Sequence, residues 1–213
     1  MRSWNLSLIY TDFMKGLARA FALLTMLFAC GVHAENTARV KLDTSLGSII
    51  IEVDVGRAPL SAGEFLRYVD LGLYNGGAFY RVVRADNDQA PARIDVVQGG
   101  LTALDRALPP IAHESTAKTG IHHTDGVVSL ARREIGTASG AKFFICVGNQ
   151  PALDFGGKRN PDGQGFAAFG RVIKGMGIVR KIHRLPLDPD SGTGLTKGQT
   201  LANPVVIQAA SRL

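Results

Sequence analysis

Residues 78–84, "AFYRVVR", set an arginine between apolar neighbours, and the segment resumes after a polar interruption as "IDVVQGG", residues 94–100. Period-2 alternation puts Phe79, Arg81 and Val83 on one face and Tyr80, Val82 and Arg84 on the other. A guanidinium so placed has two uses. It can lie on a solvated face, the ordinary fate of a charge in a strand. It can also be a deliberate cation in an apolar cleft. Spacing alone leaves both readings open.

Other reactive groups are sparse. His122 and His123 are adjacent, so on a strand they would face opposite sides and could not hold one ion; a turn could bring them together, but no Cys or carboxylate cluster completes a metal set. "DFGGKRNPDGQGF", residues 154–166, is rich in glycine but lacks the GK[ST] ending of a phosphate loop, and reads as a solvated loop. There is no G-x-S-x-G elbow, and Ser139 in "TASGAK" has no context for an activated hydroxyl. Cys146, inside "FFICV", reads as a small core residue. No metal and no cofactor is expected.

The elements that must position Arg81 follow from periodicity. "VKLDTSLGSIIIEVD" is two strand-like runs split by "TSLG", a hairpin. "APLSAGEFLRYVDLGLY" starts with Pro59 and Ser61, carries Phe65, Leu66 and Val69 at helical spacing and ends at Gly72, an amphipathic helix. Strand signals recur at 78–84, 94–98, 126–131, 142–147, 166–173 and 204–210. A second helix fits "KGMGIVRKIHRL", with Met176, Val179 and Ile182 on one side and Arg180, Lys181 and Arg184 near its C-terminal end, where cations suit the helix dipole. Phe143 and Phe144 are consecutive, so in a strand one serves the core while the other can line a pocket. Residues 185–203 read as a surface loop. Eight strand-like runs with glycine-rich turns predict a mainly β fold, an antiparallel sheet closed into a barrel.

The chain has 213 residues. From Met14, "MKGLARAFALLTMLFACGVHAEN" has the basic start, apolar run and small-residue exit of a secretory signal. Residues 1–34 therefore read as a signal peptide with its start at Met14, and 35–213 as the domain. The apolar run, about 11 residues, is short of the roughly 20 that span a bilayer; a retained anchor and lipidation at Cys30 are the competing readings. Without the leader's Arg2, Lys15, Arg19 and Asp12 the net charge is about +4. The basic residues are scattered, with no stripe interleaved with aromatics, so nucleic-acid binding is not expected.

Six pieces in order, "FYRVV", "VVQGG", "GVVSLAR", "SGAKFFICV", "ALD" and "FAAFGRVIKGM", together with the hairpin and helix, resemble a cyclophilin-type peptidyl-prolyl isomerase over roughly residues 39 to 211. The resemblance implies a closed eight-stranded antiparallel β-barrel capped by two α-helices. It implies Arg81 as the catalytic residue. It implies substrate contacts from Phe79, Gln98, the Ala131 backbone, Arg132, Phe144, Leu153, Phe166 and Val96, the last standing where the family usually carries methionine. The chain departs from the family pattern at Asp95, where a pocket phenylalanine is expected after the inserted "RADNDQAPAR", and at Lys142, Arg132 and Ala152. The implied substrates are proline-containing segments of folding proteins; a monomer is expected, and the leader from Met14 points to the periplasm or the outside of the cell, with no stable membrane association. A peptide-binding or chaperone module with little turnover is the alternative.

Overall fold

A hairpin opens the described chain, which in this computed structural model comprises residues 36–132 and 134–213. The expected signal segment lies outside the described residues. Strand β1 (Thr37–Thr44) pairs with β2 (Gly47–Asp54) from Thr37↔Asp54 to Thr44↔Gly47. The alternation is regular, with Val40 and Leu42 facing Ile49, Ile51 and Val53 into the core. Helix α1 (Pro59–Asp70) follows; Pro59 sits where the missing N–H costs nothing, and Ala62, Phe65, Leu66 and Val69 form its buried stripe.

The remaining elements are β3 (Ala78–Val83), β4 (Val96–Gly100), the two-residue β5 (Ile111–Ala112), the one-turn helix α2 (Thr116–Thr119), β6 (Val127–Ala131), β7 (Thr137–Cys146), β8 (Ala167–Lys174), α3 (Met176–His183), the two-residue β9 (Leu187–Asp188) and β10 (Thr200–Arg212). The long strands follow the order β1-β2-β8-β6-β7-β4-β3-β10, and β10 returns to pair with β1. All pairings are antiparallel, and closure leaves the barrel without an open edge. The eight-stranded barrel and the two longer helices stand as expected from the resemblance. Helix α2 was not anticipated. Strand β7 also starts earlier than expected: Ser139 pairs with Ala131 and Leu130 with Phe143, so residues 140–142 bulge out and the strand continues beyond them.

Phe65 of α1 plugs the barrel. Its ring lies 5.3 Å from Tyr74, 4.8 Å from Phe169 and 5.4 Å edge-on from Phe143. A second, smaller apolar cluster lies on the other side of the wall, built from Val83, Ile94, Val96, Phe144, Cys146 and Leu153. The β4–β7 wall feeds both: Val97 and Phe143 belong to the main core, Val96 and Phe144 to the second cluster. Consecutive residues of a strand point to opposite faces, so the pair of phenylalanines divides as expected.

Gly100 ends β4 with φ +128, a backbone that side-chain-bearing residues rarely adopt, and a Cβ there would run into the Ala141 carbonyl. Gly100→Ala is expected to cost about 2–5 kcal/mol through strain and overpacking. The check is urea unfolding, with a lower midpoint at an unchanged slope.

Candidate active site

Strand β3 is irregular where it matters. Its register against β4 shifts between Phe79 (opposite Gly99) and Arg81 (opposite Gln98). Phe79 and Val82, three residues apart, both belong to the main core. The unbroken alternation expected from the sequence therefore fails at Tyr80, and Phe79 and Arg81 do not share a face. Phe79 is fully buried and edge-on to Phe143 at 5.7 Å, on the core side of the wall. Arg81 is turned to the other side with Gln98 and Val83. Bulges commonly re-aim a side chain in this way.

Three hydrogen bonds fix the Arg81 guanidinium. Nη1 donates to Gln98 Oε1 at 2.8 Å, while Nε and Nη2 donate to Gln199 Oε1 at 3.0 and 2.6 Å. A guanidinium carries five N–H donors, so one on each terminal nitrogen is left for a ligand. Burial is the largest influence on its proton affinity and pulls it below the ordinary arginine value, yet an arginine stays charged at any physiological pH. Both acceptors are neutral carboxamides, so the cation is oriented without being neutralised. Gln199 was missed by sequence reasoning, which read its segment as a surface loop; no periodic signal marks it.

The second apolar cluster lies beside this cation. Gln98 is paired across the ladder with Phe144, whose ring meets Phe166 edge-on at 5.3 Å. Leu153 and Val96 pack with Phe144, and Ala152 and Phe166 border the cluster. The Arg132 guanidinium lies 5.6 Å over the Phe166 ring and donates to Gly165 O at 2.8 Å and Asp162 at 2.7 Å. Arg81, Gln98, Ala131 and Arg132 line one cleft of about 490 Å³, with Lys142 and Leu104 on its rim. Eight of the nine expected site residues thus gather around the cleft or the adjoining cluster; Phe79 is the exception.

Asp95 does not enter the cluster. Ile94 does, and Asp95 instead faces His183 Nε2 at 3.4 Å. The cause is the inserted segment. Asp88, buried within it, accepts from the backbone N–H groups of Ala90 (3.2 Å) and Ile94 (2.9 Å) and from Arg159 Nη1 at 2.6 Å. Arg159 also donates to Ala92 O at 2.9 Å. This clasp sets the chain direction entering β4.

His122 and His123 are brought together, as a turn allows. They lie in a loop rather than a strand, and both ring Nδ1 atoms reach Asp154, at 3.1 and 2.7 Å. The buried His123 further contacts Ser129 Oγ through Nε2 at 3.1 Å and stacks on Phe144 at 5.9 Å. Burial alone would raise the Asp154 proton affinity, but hydrogen bonds from the His123 ring and backbone and from His122 outweigh it and hold the carboxyl low. Ser, His and Asp here have the connectivity of a nucleophilic triad, but the Ser129 hydroxyl is fully buried in the wall and meets no substrate. The arrangement holds one face of Phe144. Burial raises the Cys146 thiol well above its ordinary value, so it is inert packing. Among the described residues no group of three or more His, Cys, Asp or Glu could hold a metal ion.

The family described as cyclophilin type peptidyl-prolyl cis-trans isomerase/CLD matches residues 39–211. A peptidyl-prolyl cis-trans isomerase A of Dickeya dadantii (strain 3937) is 31% identical over 199 residues, covering 91% of this chain and 95% of that protein. A peptidyl-prolyl cis-trans isomerase of Streptomyces antibioticus is 33% identical over 180 residues, covering 82% of this chain and 98% of that protein. A crystal structure of a cyclophilin type isomerase of Cryptosporidium parvum, 16% identical, superposes with a TM-score of 0.59 over 83% of this chain and 98% of that one, and shows the shared fold. The same Cryptosporidium protein has a structure in the presence of the dipeptide Ala-Pro. With the family match spanning nearly all of the described residues, the chain belongs to the cyclophilin type peptidyl-prolyl cis-trans isomerases and is an isomerase of that kind.

Proposed function

We propose that Arg81 is the catalytic residue of this isomerase, that the cluster around Phe144 receives the proline ring, and that the enzyme works on folding proteins in the cell envelope. The observation that carries the first part is the guanidinium held by two neutral carboxamide oxygens beside an apolar cluster. Rotation about a prolyl amide passes through a twisted state in which conjugation is lost, against a barrier of roughly 18–20 kcal/mol. No bond breaks, so neither nucleophile nor proton relay is required. The nitrogen lone pair, localised in the twisted state, becomes a hydrogen-bond acceptor, and the two remaining Arg81 donors suit it.

Magnitudes divide the work. An acceleration of about 10⁵ requires lowering the barrier by about 7 kcal/mol, at 1.36 per decade. A hydrogen bond from a charged donor contributes about 1.5–3 kcal/mol. The remainder must come from removing the amide from water and holding the chain near the twisted geometry. Phe144, Phe166, Leu153, Val96 and Ile94 supply the apolar surface for the ring, while Gln98 and the backbone at Ala131 and Arg132 border the flanking chain.

Arg81→Ala is expected to lower kcat/KM on an Ala-Pro peptide by about 10²–10³. It should weaken the fold mainly by the cost of leaving the buried Gln199 oxygen unpaired, about 1–3 kcal/mol, since the part-buried Gln98 oxygen can turn to water. An undiminished rate in the folded variant would remove Arg81 from the chemistry. The wild-type rate is expected to vary less than about threefold from about pH 6 to 9, because a guanidinium does not titrate there. A bell-shaped profile would move the role to a histidine.

The envelope assignment is supported by the leader from Met14 to Ala34. Expressed in a bacterium and recovered from the periplasmic fraction, the mature protein is expected to begin at Glu35. Recovery only from the cytosol with residues 14–34 intact would contradict export.

A further inference from the structure

Gln199 is fully buried, although residues 192–197 just before it are all exposed. Its carboxamide has a single usable orientation. Oε1 accepts from Arg81 Nε and Nη2, while Nε2 donates to the backbone oxygen of Asn87 at 3.1 Å. Reversing the amide would set donor against donor and acceptor against acceptor.

The Asn87 carbonyl that selects this orientation is itself fixed. Asn87 Nδ2 donates to Val82 O at 3.1 Å, and its Oδ1 accepts from Arg84 N at 2.8 Å. Val82 N in turn donates to Gln199 O at 2.8 Å. Val82 of strand β3, Asn87 of the inserted segment and Gln199 therefore form one closed circuit of hydrogen bonds, to which the Arg81 side chain is tied through Gln199 Oε1. The Asp88–Arg159 ion pair anchors the same segment from behind, at 2.6 Å.

We propose that Gln199 is a positioning residue for Arg81, and that the polar segment 84–93 acts on the isomerase reaction through it. The inference rests on the catalytic reading of Arg81 given above. Gln98 alone would tether one terminal nitrogen and leave the guanidinium plane free to turn. The second tether, on Nε and Nη2, sets that plane and with it the direction of the two remaining N–H groups. A misplacement of about 1 Å in a catalytic group can cost about 10²-fold in rate.

The test is steady-state kinetics on an Ala-Pro peptide for Gln199→Leu, which keeps the volume and removes the acceptor. The expected result is a kcat lower by about 10- to 100-fold with KM changed less than about twofold, since positioning acts on the twisted state more than on ground-state binding. In an Arg81→Ala background the same substitution is expected to change the residual rate by less than about twofold, a non-additivity that simple destabilisation would not produce. Gln199→Asn retains the amide but withdraws it by about one bond length, ~1.5 Å, and is expected to lose rate in the same direction should the leucine variant not fold. Wild-type kcat in a folded Gln199 variant, or an equal fold-loss with and without Arg81, overturns the proposal. If Arg81→Ala itself keeps full activity, the catalytic reading fails and this inference with it. If Arg81→Ala is inactive while the Gln199 variants are fully active, only the positioning role fails.

Discussion

The β4–β7 wall must be apolar on both faces, and the rest of the structure depends on that requirement. Val97 and Phe143 close the barrel interior while Val96 and Phe144, their neighbours in the chain, build the outer cluster. A wall with one polar face would leave a stable barrel with no apolar site against it. Burying a phenylalanine is worth about 1.5–3 kcal/mol on either side, so the outer cluster contributes to stability as the inner core does. His123, stacked on Phe144 and held by an Asp154 carboxylate that stays ionised, fixes the outer ring from behind.

A charge beside such a cluster is costly to hold, and the choice of partners decides what it can do. A carboxylate against Arg81 would lower that cost but cancel most of the field available to a ligand. Two carboxamide oxygens satisfy three of its donors and leave the charge uncompensated. Arg132, the other guanidinium lining the cleft, is treated in the opposite way. It is paired with Asp162 and laid on Phe166, where it serves as wall.

The strands, the two longer helices and the division of Phe143 from Phe144 were legible because apolar residues recur there at a fixed period. What was not legible lies where a period breaks. The bulge at Tyr80 separates Phe79 from Arg81, and alternation counted through it misassigns Phe79. The exchange of Ile94 for Asp95 depends on an ion pair between residues 71 apart in the chain. His122 and His123 converge on Asp154 because a loop frees them from the opposed directions of a strand. Gln199 is a polar residue in a stretch of glycine, threonine and lysine, and only its partners, absent from any local pattern, reveal that it is buried.

The clamp on Arg81 also has a temporal side. One carboxamide comes from a residue 17 positions away and the other from a residue 118 positions away, just ahead of the strand that closes the barrel on β1. Contacts of such separation form late, because the chain entropy of closing the intervening loop must be overcome first. Until residue 199 is in place the guanidinium lacks its second tether, whatever else has formed. If Arg81 and Gln199 act as proposed, competence would arrive only when the last strand docks.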